Sequence, residues 1–115
     1  MKLRDLEPTF VKVTSPNGSY QCDVPMAEAQ GVDFLCPRCF LANSGPVGTH
    51  HILCWSRSRG APDDILPRPG RWALVGTSLD DLTLDSDPPG TARSVQITSG
   101  CCAHFYVTNG EVTWA

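Results

Sequence analysis

Two short half-sites, Cys36-Pro-Arg-Cys39 and Cys101-Cys-Ala-His104, constrain this chain more than any other feature of its sequence. Two residues between paired ligands let both point at one centre from a tight turn whose amides can donate to sulfur, the build of a zinc knuckle. Together Cys36, Cys39, Cys101 and His104 make a Cys3His set, which closes a tetrahedral site. Spaced cysteines in a reducing compartment hold metal or do chemistry more often than they form disulfides. The expected cofactor is therefore one structural Zn2+. The gap between the half-sites is far longer than the ~15–20 residues of a compact zinc ribbon, so the intervening strands read as an insertion between two knuckles.

The remaining sulfur and imidazole groups carry weaker signals. Cys102 competes with Cys101, but Cys-x-His projects its side chains less favourably from one turn, and Cys102 reads with Cys22 as a packed thiol. His50, His51 and Cys54 form a second group. Along a strand His50 and Cys54 stand about 13 Å apart, too far to share an ion; His50 or His51 can instead replace a ligand of the main site or support it, and Cys54 stays undecided. A thioredoxin-like redox pair needs Cys-x-x-Cys to open a helix within a βαβ unit, and the sequence shows neither. The zinc-deaminase pattern fails as well, because Pro37 lies inside the cysteine pair and no His-x-Glu occurs.

Composition narrows the fold. The chain has 115 residues with ten glycines and ten prolines, a turn-rich usage that argues against long helices. Residues 9–14 and 19–24 alternate around Ser15-Pro-Asn-Gly18 and predict a hairpin, and residues 105–108 and 111–114 predict another around Asn109-Gly110, the strongest short hairpin signal. Further strands are expected over 32–35, 49–55, 72–75 and 94–98, and a short helix over 25–30, with Pro25 at its start and Gly31 as its stop. Long loops span 56–71 and 85–93. The expected fold is mostly β: one small antiparallel domain over 1–115 with two zinc knuckles, one short helix and long loops.

Charge and targeting narrow the partners. A net charge of −3 supplies no field for a phosphate backbone, so nucleic acid is not the expected partner. Arg57, Arg59, Arg68 and Arg71 against Asp63 and Asp64 leave a local positive loop, read first as a solvated surface. No apolar run is long enough to span a membrane, and residues 1–8 hold acids and a proline where a signal peptide needs an apolar stretch. The expected location is the cytosol, with no signal-peptide secretion.

The chain resembles a family of small zinc-binding, zinc-ribbon-like proteins found in bacterial and bacteriophage genomes. The resemblance runs through Phe34-Leu-Cys-Pro-Arg-Cys-Phe40, Gly48-Thr-His-His-Ile-Leu-Cys-Trp55, Pro69-Gly-Arg-Trp72, the stretches 76–84 and 94–105, and Asn109-Gly-Glu-Val-Thr-Trp114. It implies a metal site at Cys36, Cys39, Cys101 and His104 and a phage or prophage setting, with no activity to carry over. The function expected is a non-catalytic zinc module, a bacteriophage accessory or virion structural protein. Its partner would be a protein: a phage or host component, or a second copy. The alternative is a small zinc-dependent hydrolase using His50 or His51 beside an open metal position.

Overall fold

The computed structural model describes all 115 residues. Alternating β-branched and aromatic residues form β1 (Thr9–Val13), which turns through Ser15–Gly18 into the short edge strand β2 (Tyr20–Cys22). Strand β3 (Gly31–Leu35) follows, then helix α1 (Pro37–Asn43), then β4 (His51–Trp55). These four strands make one antiparallel sheet in the order β2-β1-β3-β4. A hairpin of β5 (Trp72–Val75) and β6 (Thr83–Ser86) and a three-stranded sheet of β7 (Val95–Gln96), β8 (His104–Thr108) and β9 (Glu111–Trp114) complete the chain. The architecture is mostly β with small antiparallel sheets, as the alternation patterns predict. No helix is long and apolar enough to cross a membrane.

The single α-helix is not where the sequence reading put it. Residues 25–30 form only one 3-10 turn, Met26–Glu28, because the chain is drawn back into sheet pairing: Gln30 N donates to the Val11 carbonyl at 2.8 Å and Gln30 Oε1 accepts from Val13 N at 2.9 Å. Six residues cannot nucleate a helix against that competition. The helix forms instead on the cysteine pair. Pro37 occupies its first position, where a missing N–H costs nothing, and Ser44 ends it in the left-handed conformation.

The core is a cluster of twenty buried residues that joins all three sheets. Phe34 of β3 meets Phe105 of β8 edge-to-face, with ring centroids 6.0 Å apart, and both are fully buried. All five residues of β3 are buried, and Gly31 sits where the backbone must approach closely: a Cβ there would come within 2.7 Å of the Cys54 carbonyl oxygen and 2.8 Å of the Trp55 ring. The β8–β9 turn has Asn109 and Gly110 both at positive φ, the requirement that makes Asn-Gly a hairpin signal. A second small cluster, Val11, Trp55, Ala61 and Ile65, seats the loop 56–71 on the outer face of the sheet. Trp55 fixes it there by donating Nε1–H to the Leu66 carbonyl at 2.9 Å.

This topology sets the position of the cysteines. Helix α1 connects antiparallel neighbours, so the cysteine pair lies at the end of β3 directly beside the start of β4. Cys36 N donates to the His50 carbonyl at 2.9 Å, extending the ladder one pair beyond the strands. The turn 97–103 between β7 and β8 comes to the same end, held by the Ile97 N–H on the Ala103 carbonyl at 2.8 Å.

Candidate metal centre

The Sγ atoms of Cys36, Cys39 and Cys101 and a ring nitrogen of His50 all lie within 4.8 Å of one another. They come from three separate places: Cys36 and Cys39 from the start of α1, His50 from the residue before β4, and Cys101 from the β7–β8 turn. Tetrahedral zinc with Zn–S of about 2.3 Å and Zn–N of about 2.0–2.1 Å requires sulfurs about 3.8 Å apart and a sulfur–nitrogen separation of about 3.5 Å. Cys36 Sγ and Cys101 Sγ are 3.8 Å apart, and Cys101 Sγ is 3.5 Å from His50 Nε2. The four side chains could hold one metal ion.

Local structure explains each ligand. Cys36 is the residue before the helix, in extended conformation, and Cys39 is the third helical residue, so the first turn presents both thiols on one side. His50 is held in the tautomer a metal needs. Its Nδ1 lies 3.2 Å from the His51 carbonyl oxygen, which can only accept, so Nδ1 carries the proton and Nε2 offers its lone pair.

The thiols differ in their hold on protons. Burial pushes the Cys36 thiol up to about 11; the N–H groups of Cys39 and Arg38 oppose it, and the thiols of Cys101 and Cys39 add to it. At Cys101 burial also works against the thiolate, but the Ala103 N–H, His50 and the thiols of Cys39 and Cys36 outweigh it and bring the group down to about 7. Cys101 therefore ionises first, and its charge raises the cost of a second thiolate a few ångströms away. A divalent cation among the three sulfurs removes that conflict, because it favours every thiolate at once.

His104, expected as the fourth ligand, is not in the cluster. Ala103, Phe105 and Val107 face the core, so the two-residue period turns His104 to the other side of β8, where its Nε2 is 3.1 Å from Ser94 Oγ. His50 stands in its place. The sequence signal for it was the His50-His51 pair ahead of a strand, one of which was open as a substitute ligand. His51 is turned outward instead, with Nδ1 3.1 Å from Asp33 Oδ1. Burial holds the Asp33 carboxyl above the usual carboxylate range, with His51 opposing.

The other cysteines are placed as follows. Cys101 rather than Cys102 joins the cluster; Cys102 has φ +54° and an exposed side chain, so it is not a packed thiol. Cys22 is exposed too, because nothing covers the edge strand β2. Cys54 is fully buried in the core, and burial drives its thiol strongly upward, which makes it an inert packing residue. The cysteine pair does open a helix, contrary to the sequence reading, but β3 and β4 are antiparallel neighbours and no βαβ unit surrounds it. Compared with family models, curated proteins and solved structures, the chain matches none of them.

Proposed function

We propose that the chain is a non-catalytic binding module whose fold is stapled by one zinc ion on Cys36, Cys39, His50 and Cys101. The observation that carries this reading is the convergence of four soft or borderline donors, from three distant segments, within 4.8 Å of one another, with the Cys36–Cys101 and Cys101–His50 separations at the values a tetrahedral ion requires. Three thiolates and one imidazole fill a tetrahedron and leave no position for a reactive water, which supports a structural role over a hydrolytic one. The ion would tie the β7–β8 turn to the end of the four-stranded sheet, where β7 contributes only two paired residues. The resemblance to phage and bacterial zinc proteins supports an accessory or virion role with a protein partner, testable by mass spectrometry of purified virions.

The deciding measurement is elemental analysis of the protein purified without added metal, together with single substitutions. One zinc per chain is expected, falling to well below half in Cys36→Ser and His50→Ala and unchanged in His104→Ala. A His104→Ala protein that loses its zinc while His50→Ala keeps it would overturn the ligand set.

A further inference from the structure

The largest cleft in the molecule lies away from the metal centre, between the loop 56–71 and the turn 87–92, with a volume of about 560 Å³. Three of the four arginines of the loop line it, Arg57, Arg68 and Arg71, together with Asp63 of the same loop and Asp87 and Thr91 of the turn. The fourth, Arg59, turns away to donate to the Met26 carbonyl at 2.6 Å. The loop therefore does not scatter its cations over the surface. It gathers three of them around one cleft.

Arg71 is held rigidly. Its Nη1 donates to the carbonyls of Pro67 and Gly70, both at 2.8 Å, and its Nη2 to those of Pro62, Asp63 and Ile65 at 3.2, 3.1 and 2.9 Å. Backbone carbonyls are dipoles and do not cancel the charge. Arg57 does have a carboxylate, with Nε 3.5 Å from Asp63 Oδ1, whereas Arg68 makes no ion pair or hydrogen bond within the chain. Burial weakens the hold of Arg71 on its proton, and the neighbouring charge of Arg68 weakens it further, against Asp63 and Asp87. The charge of Arg71, fixed by carbonyls, and the unpaired guanidinium of Arg68 line the same cleft, an arrangement that favours an anion. The acidic side is prepared as well: Asp87 is buried and fixed by the Ser58 N–H on Oδ2 at 2.9 Å, with Oδ1 unused, and Thr91 Oγ1 donates to the Pro88 carbonyl at 2.7 Å and so presents its lone pairs.

We propose that this cleft binds a small phosphate ester, its phosphate on the free guanidinium of Arg68, with the carbonyl-held charge of Arg71 adding to the field, and the hydroxyl or amino groups of its organic part on Asp87 and Asp63. Guanidinium forks match phosphate oxygens, and the volume falls within the range of small-molecule sites of roughly 300–1,000 Å³, far more than a bare phosphate fills. The carboxylates disfavour a plain polyanion and give the organic part its recognition. The site does not depend on the metal reading, since none of its residues touches the cysteine cluster.

The test is titration of the full-length, metal-loaded protein by NMR with ribose 5-phosphate, adenosine 5′-monophosphate, inorganic phosphate and succinate. At least one ester is expected to saturate, with shifts mapping to residues 57–71 and 87–92. Arg68→Gln, which breaks no internal contact, is expected to weaken that ester about tenfold or more at unchanged thermal midpoint and zinc content. Lys12→Gln removes the same charge from β1 and is expected to leave binding unchanged. Saturation by neither ester up to about 10 mM, equal weakening by both variants, or inorganic phosphate or succinate binding as tightly as the better ester would each overturn the proposal.

Discussion

Two regions of this chain are held without regular ladders, and they are held in opposite ways. The turn 97–103 is closed on itself by a single backbone bond from Ile97 to Ala103 and reaches the end of the four-stranded sheet where Cys101 meets Cys36, Cys39 and His50. The loop 56–71 is wrapped around one guanidinium, with Arg71 accepted by five of its carbonyl oxygens. In the loop a cation carried in the sequence organises backbone that strands do not; under the proposed function the turn acquires its cation from solution. On that reading, stability at the cysteine end depends on solution conditions, whereas stability at the arginine end depends on the chain alone.

The largest effect should come from breaking the cysteine end. Metal removal by a strong chelator, or Cys36→Ser, is expected to lower stability by about 4 kcal/mol, the linkage expected for free metal at a thousandfold its dissociation constant. That corresponds to roughly 15 °C in thermal midpoint for a domain of this size, read by calorimetry with and without zinc. A midpoint indifferent to chelation would remove the contrast between the two regions.

Next in size is the arginine end. Arg71→Ala leaves five carbonyls without their donor and is expected to cost about 2–3 kcal/mol, since bonds to charged groups contribute about 1.5–3 kcal/mol each and are not additive. Amide hydrogen exchange should rise across residues 62–70 and stay unchanged at residues 36–39, with zinc content intact. Loss of zinc in this variant would mean that the two regions are not independent.

The thiols sharpen the comparison through pH. In metal-free protein the Cys101 thiol lies below its unfolded value, so the stability it contributes is present above that unfolded value and is lost as pH falls through about 7. Iodoacetamide should therefore alkylate Cys101 with a midpoint near pH 7, while Cys36, which burial holds up to about 11, reacts only at far higher pH. Bound zinc should protect both, as peptide mass spectrometry would show. The smallest effect is expected from His104→Ala, which forfeits one contact with Ser94 and about 1 kcal/mol or less, without loss of metal.

Much of the strand content was legible because it rests on local alternation. The 9–13 strand, the 72–75 strand and the Asn109-Gly110 hairpin follow from residue types whose period and turn chemistry agree. The helix was legible in principle, since Pro37 with Cys39-Phe-Leu-Ala-Asn behind it is a helix start. The same residues carry the Cys-x-x-Cys spacing of a knuckle, and local spacing does not separate the two. The helix expected at 25–30 failed for a different reason: Gln30 has partners on β1 that no local pattern reveals. Asp81 did what acids beside loops are expected to do, accepting from the N–H groups of Thr77 and Ser78 at 2.8 Å each.

By itself the sequence determined that thiols would gather, because Cys36 and Cys39 are presented together by any tight turn or first helical turn. It also determined which strands could form, because alternation is a property of neighbours. Only the tertiary structure decided the fourth ligand. His104 lies three residues from Cys101, yet strand parity points it away, while His50 is distant in sequence and arrives because β3 and β4 pair and bring its carbonyl to Cys36. Spacing along the chain measures which side chains can meet within one turn, and a site assembled from three segments is governed by the register between strands, which no single segment contains.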